Sequence, residues 1–237
     1  MNNAVQVISP VGLLLGLIPV AIVIAVLFRW SLNARTAIYA TARMLIQLVL
    51  IGYVLTFIFD SEQSWPVAGV LAIMLIAASW IALRPLEKSR NAAFFHALTA
   101  IGVGGVSTLL LVTQVVVQVD PWYAPRYVIP LAGMIFAGSM NAVSLAAERF
   151  AAERSRDATI EQARRTALHA ALIPLINTFF AVGLVSLPGM MTGQILSGVS
   201  PLTATRYQIV VMSMMFGSAG IAATIYLILA SRDSKWT

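Results

Sequence analysis

Charged residues divide this chain into apolar intervals long enough to cross a lipid bilayer, and that spacing constrains its fold more than any other feature. Seven intervals lack acids, arginine and lysine: 1–28, 44–59, 63–83, 91–119, 127–147, 170–205 and 207–231. A spanning helix needs about 20 mostly apolar residues. Six intervals reach that length alone, and 44–59 does so when extended back through Arg43 to about Ala37. The hydrocarbon layer contains no water, so each span must satisfy its own backbone hydrogen bonds, as a helix does. A transmembrane barrel would show short alternating strands, and runs such as Leu71–Ala78 do not alternate. The expected fold is all-α, a polytopic integral membrane protein with about seven transmembrane helices in a single domain over 1–237. Interval 1–28 has no basic residue before its apolar run, and Arg29 follows it. It reads as a first membrane helix rather than a cleaved signal peptide.

Composition agrees. Hydrophobic residues make up 59% of the chain and charged ones only 10%, against about 25% charged in soluble domains. A soluble enzyme, a disordered chain and a fibrous repeat are excluded on that ground. The net charge of +6 is thinly spread over loops, which fits a membrane protein better than a nucleic-acid binder. No cysteine occurs, so disulfides and thiolate sites are excluded.

The loops set an orientation. Arg29, Arg35, Arg43, Arg84, Lys88, Arg90, Arg149, Arg154, Arg156, Arg164, Arg165, Arg232 and Lys235 fall in alternate loops and the tail, thirteen bases on one side. Only Arg126 and Arg206 fall on the other. The positive-inside rule places the N-terminus outside and the C-terminus in the cytoplasm.

Interval 170–205 is too long for one straight span and too short for two with a loop. It holds Pro174, Gly183, Pro188, Gly189, Gly193, Gly198 and Pro201. Proline removes a backbone donor, and glycine admits conformations other residues resist. The expectation is a helix to about Leu187, a break at Pro188–Gly189, then a shorter segment. Broken helices at membrane depth line cavities in many transporters; a kinked helix with a long loop is the alternative. A second such element, Pro130-Leu-Ala-Gly133-Met134, opens the fifth helix. Met134, Met190 and Met191 are either soft metal ligands or ordinary apolar filler.

The hydrophilic segment 148–169 is expected to be a cytoplasmic amphipathic connector containing a short helix. Thr159 and Gln162 fit a capping box, and Glu161 with Arg165 fits an i,i+4 pair. No acid lies inside any predicted span, which disfavours a proton-coupled relay. The uncharged polar residues there are Gln47, Gln114, Asn141, Asn177, Gln194 and Gln208. Each is either a helix-to-helix hydrogen bond or a substrate contact. The sequence contains no phosphate-binding loop, nucleophile elbow or H-E-x-x-H motif, so the chain is expected not to be an enzyme. Gly102-Val-Gly104-Gly105 reads as close helix packing.

Arg43-Met-Leu-Ile-Gln47-Leu-Val-Leu-Ile-Gly52, Ile129-Pro130-Leu-Ala-Gly133-Met134 and Ala170-Ala-Leu-Ile-Pro174 resemble segments of the FetB-type permeases. The most specific match is Val182-Gly-Leu-Val-Ser-Leu-Pro188-Gly189-Met190-Met191. That family includes iron-export ABC transporter subunits of bacteria and plant relatives linked to aluminium tolerance. The resemblance implies a permease domain over 1–237 in the bacterial inner membrane, exporting iron or another metal. It implies a homodimer of permeases among membrane lipid, with ATP bound by a separate cytoplasmic ATPase and no cofactor on this chain. The candidate translocation path is Gln47, Met134, Asn141, Asn177, Pro188, Gly189, Met190, Met191 and Gln194. The candidate ATPase-coupling residues are Glu161, Gln162, Arg164 and Arg165. The cytoplasmic segment is shorter than in many members. A stand-alone channel or secondary carrier, or a non-transporting scaffold, is the alternative.

Overall fold

The computed structural model describes residues 8–59, 63–86 and 90–232. They are almost entirely helical and divide into two compact units, 1–61 and 62–237. In the first unit, α1 (Pro10–Gly16) and α2 (Ile18–Arg29) run almost continuously, followed by α3 (Ala34–Phe59). Ser9 caps α1 by accepting from the Gly12 amide at 3.1 Å, with Pro10 in the first turn, where a missing N–H costs nothing. Asn33 Oδ1 accepts from the Thr36 amide at 3.2 Å at the start of α3. Leu14, Ile22 and Phe57 are exposed, as side chains destined for lipid are.

The second unit contains α4 (Ser64–Ala82), then one helical rod over Arg90–Val116. That rod is α5 (Arg90–Ile101), a π-helical turn (Gly102–Val106), α6 (Ser107–Leu110) and a second π-helical turn (Leu111–Val116). Next come α7 (Pro125–Arg154), α8 (Ile160–Ala181), α9 (Gly189–Leu196) and α10 (Pro201–Ala230). Six helical stretches among the described residues are long and apolar enough to cross a membrane. Helix α8 stands where the sequence places a sixth of about seven passes, but it is not among these six: its first turns carry Glu161, Arg164 and Arg165, and His169 and Asn177 follow.

Small residues set the packing of this unit. Helices α7 and α10 form its centre, with the Arg90–Val116 rod, α4 and α8 against them. Ala97, Ala100, Gly104, Ala132, Ser139, Ala142, Ala219, Ala222 and Ala223 are all buried. Helices in lipid gain no hydrophobic drive toward one another, so close backbone approach supplies the van der Waals energy. Gly104 shows how close. A Cβ there would lie 2.9 Å from the Ala222 amide nitrogen and 3.0 Å from the Ser218 carbonyl oxygen. At Gly105 it would meet the Phe136 ring at 2.9 Å. The glycine run is a packing device, as expected.

Arg90 closes the α4–α5 pair. Its Nη2 and Nε donate to the Trp80 carbonyl at 2.7 and 3.2 Å, and its guanidinium stacks 3.8 Å from the Trp80 ring centroid. The side chain thus satisfies a carbonyl near the end of α4 and adds a cation–π contact.

Three expectations need correction. The helix thought to reach Leu187 ends at Ala181, because Val182 is extended and Gly183 has φ +80°. The chain unwinds six residues early, and Pro188 is the N-cap of α9 with Gly189 as its first residue. Pro130 and Pro174, both potential breakers, sit inside α7 and α8. The 148–169 segment also contains no separate short helix: α7 runs to Arg154, and α8 starts at Ile160 and continues into the bundle. Its capping box forms as expected, with Thr159 Oγ1 and the Gln162 amide 3.2 Å apart. Glu161 and Arg165 make no ion pair among the described residues; Arg149 and Glu153 do, at 2.7 Å.

Gly104→Ala is expected to lower stability by about 1–3 kcal/mol through overpacking, read as a lower melting temperature in detergent. Gly102→Ala, whose Cβ would meet only the Leu75 side chain at 3.8 Å, is expected to leave it unchanged.

Candidate translocation site

The interruption between α8 and α10 builds the site. Beyond Ala181 the chain turns back tightly. The Val185 amide donates to the Ala181 carbonyl at 2.8 Å and the Gly183 amide to the Ser186 carbonyl at 2.9 Å. Gly183 takes the left-handed conformation that glycine adopts without a Cβ penalty. Pro188 then starts α9, and Gly198, at φ +92°, turns the chain toward α10. Ser200 caps α10, its hydroxyl accepting from the Thr203 amide at 3.3 Å. Helix α9 has no buried residue.

Two cavities border this short helix. The first, of about 410 Å³, is lined by Phe179, Val182, Gly183, Leu187, Pro188 and Met191 of the broken segment. Thr205, Gln208, Ile209, Met212 and Ser213 of α10 complete it. The second, of about 300 Å³, lies between α9 and the first turns of α7 and α10. Met190, Gln194, Arg126, Tyr127, Thr203 and Tyr207 are among its lining residues. The adjacent residues Met190 and Met191 therefore face different cavities.

Two glutamines carry buried oxygens without partners. Gln208 is 5% exposed, and its Oε1 has no hydrogen-bond partner. Gln194, which lines the second cavity, also has a buried and unpartnered Oε1. A buried polar group without a partner is uncommon and costly.

Of the path residues expected from sequence, Pro188, Met190, Met191 and Gln194 line the cavities, and Gly189 opens the helix between them. Met134, Asn141 and Asn177 line neither cavity, and both asparagines are exposed. Gln47 lies in the first unit, exposed on α3. Gln114, noted as a polar residue of a span, donates to the Trp122 carbonyl at 3.2 Å, a helix-to-loop tie. Tyr207 and Arg126 are not among the path residues expected from sequence, and Gln208 is named there only as a polar residue of a span. The usable signal for Gln208 was an amide within an otherwise apolar pass. Among the described residues no three of His, Asp and Glu come together as a metal site.

Gln208→Leu is expected to raise the melting temperature of the purified protein, because an unsatisfied buried acceptor costs about 1–3 kcal/mol. A lower melting temperature would mean that Gln208 is already paired in the protein as isolated.

Comparison with known proteins places the chain. The model of the uncharacterised protein family UPF0014 matches residues 8–161 and 152–234. A UPF0014 membrane protein of Synechocystis is 37% identical, covering 92% of this chain and 92% of that protein. The probable iron export permease protein FetB of Escherichia coli is 33% identical, covering 98% and 93%. The protein ALUMINUM SENSITIVE 3 of Arabidopsis thaliana is 33% identical, covering 86% and 80%. No solved structure matches. With its membrane-length helices and near-full-length relatives, the chain is an integral membrane protein that belongs to the UPF0014 family.

Proposed function

We propose that this chain is the membrane-spanning permease subunit of an ABC transporter that exports iron or another metal, powered by a separate ATPase. The observation that carries the proposal is the near-full-length similarity to a protein named as a probable iron export permease. Two structural features support it. The cavities beside an interrupted helix fit a translocation path, since irregular backbone at membrane depth belongs where it lines a cavity. The first turns of α8 fit a docking element: Ala163, Ala167 and Ala171 face the bundle, while Glu161, Gln162 and Arg165 are exposed and Arg164 is half-buried.

In this scheme the N-terminus is outside, the C-terminus and the α7–α8 turn are cytoplasmic, and two permeases pair with two ATPases. ATP hydrolysis in the partner would move the α8–α9–α10 region between states that open the cavities to opposite sides.

Purification of the tagged chain in mild detergent is expected to recover a stoichiometric ATPase. Replacing Glu161, Arg164 and Arg165 together by Ala is expected to weaken that association about tenfold, or about 1.4 kcal/mol, with the melting temperature unchanged. Pro188→Ala and Gly189→Leu are expected to lower metal efflux from cells while membrane insertion persists. Recovery of the folded chain alone, with flux in liposomes lacking ATP, would replace this proposal with a channel or carrier.

A further inference from the structure

We propose that Arg84 and Arg90, with the exposed aromatic side chains beside them, form a binding site for an anionic phospholipid where α4 meets α5. The site does not rest on the transport function proposed above. Arg90 is held in place before any ligand arrives. Its Nε and Nη2 donate to the Trp80 carbonyl, and its guanidinium lies 3.8 Å from the Trp80 ring centroid. Nη1 has no hydrogen-bond partner among the described residues. A guanidinium carries five donors, so one anchored through two nitrogens keeps others for an oxyanion. A side chain already ordered also loses little entropy on binding.

Arg84 stands beside this anchored group. The chain leaves α4 in a turn, with the Arg84 amide donating to the Ile81 carbonyl at 3.1 Å. That turn puts Arg84 four residues past Trp80, on which Arg90 is stacked. Arg84 is exposed and makes no ion pair among the described residues, and its charge reaches Arg90. Glu87 and Lys88, between them in sequence, cancel in charge, so segment 84–90 carries a net charge of +2. Like charges at short range repel, and a phosphate accepting from both arginines removes that cost. Arginine suits this task, since its fork of donors matches phosphate oxygens.

The aromatic surroundings favour a lipid over a soluble anion. The Trp80 and Phe94 rings meet edge to face with centroids 5.8 Å apart, and Phe94 meets Phe95 in the same way at 5.7 Å. Trp80 is 42% exposed and Phe95 71%. Tryptophan prefers the headgroup level of a bilayer, and the three rings sit on two helices long and apolar enough to cross one. A molecule with an oxyanion at one end and hydrocarbon at the other satisfies both the guanidinium groups and the rings. Inorganic phosphate satisfies only the charge. No acid among the described residues pairs with either arginine or stands ready for the ammonium of a choline headgroup. The headgroup that fits therefore has net negative charge, as in phosphatidylglycerol, and basic residues at the ends of membrane helices recognise such lipids.

The test is native mass spectrometry of the full chain, purified in detergent with whatever partner accompanies it, after addition of phosphatidylglycerol or phosphatidylcholine. Phosphatidylglycerol is expected to be retained in preference. Arg84→Gln is expected to lower that retention about fivefold, the loss for one arginine at an anionic surface. Its melting temperature without lipid should not change, because Arg84 loses no ion pair. Arg90→Gln is expected to lower retention further and also to destabilise the fold, since the Trp80 carbonyl loses its donors. Arg206→Gln, at an exposed arginine on α10, is expected to leave retention unchanged. Added phosphatidylglycerol is expected to raise the melting temperature of the unmodified chain more than that of Arg84→Gln. The site is overturned if both lipids are retained equally, or if Arg84→Gln and Arg206→Gln lower retention alike, which would mean diffuse attraction. Displacement of phosphatidylglycerol by an equal concentration of inorganic phosphate would overturn the lipid assignment in favour of a soluble oxyanion. Unchanged lipid retention in Arg84→Gln with reduced recovery of a co-purifying ATPase would assign the surface to that protein and overturn the lipid site.

Discussion

Every backbone N–H and C=O at membrane depth must find a partner inside the protein, and the rest of this structure follows from that requirement. Helices meet it automatically, which explains why charge-free intervals become helices with so little irregular chain. The interruption at 182–200 departs from the long helices, and several of its amides are held by tight turns. The Leu184, Val185 and Ser186 amides all converge on the Ala181 carbonyl, and the Val199 amide returns to the Gln194 carbonyl at 3.0 Å. Two left-handed glycines, Gly183 and Gly198, make those turns possible. Neither has any atom within 4 Å of where a Cβ would stand, so glycine is needed there for conformation, not for space. At Gly104 the reverse holds: the backbone is ordinary helix and the space is filled.

The same solvent inverts the usual distribution of side-chain size. In water, burying large apolar side chains drives folding. Here Leu110, Leu202 and Phe180 are exposed while alanine, glycine and serine occupy much of the interior. Lipid is as apolar as leucine, so large side chains gain little by leaving it, and small ones gain by letting helices touch. Two of the buried serines fit that economy of space. Ser79 donates to the Leu75 carbonyl at 2.8 Å and Ser218 to the Met215 carbonyl at 3.3 Å. Both hydroxyls are satisfied within their own helix and add almost no bulk.

Features governed by neighbours in sequence were legible from the residues alone. The helical character of the apolar intervals, the capping box at Thr159–Gln162 and the packing role of Gly104 and Gly105 each depend on spacing within a turn or two. The end of α8 was not legible. Proline looks like a breaker wherever it occurs, yet α8 absorbs Pro174; the Thr178 hydroxyl donates to the Pro174 carbonyl at 2.7 Å, and the helix continues. The break falls instead at Val182–Gly183, where no proline marks it. The cavities were hidden for a different reason. Their walls join residues 117–131 to 190–211, and 179–191 to 205–213, and no local periodicity reports which polar residues of separate passes meet. Gln194 and Gln208 were visible as costly residues; Asn141 and Asn177 looked equally costly and line neither cavity.

Helix α9, which borders both cavities, is the least buried helix of the second unit. Helix α9 has eight residues, none of them buried, and positive-φ glycines flank it on both sides. An isolated helix of that length is marginal even with good helix formers, and Gly189 and Gly193 weaken it further. By contrast α7 and α10, which form the opposite walls, each bury a long series of side chains. Local opening follows the distribution of buried contacts, so a change in the site can reposition α9 without unpacking the α7–α10 centre. Met190 and Met191 stand about 100° apart around that helix, and each lines a different cavity. This short helix stands where the backbone has already left the long helical ladders of α8 and α10.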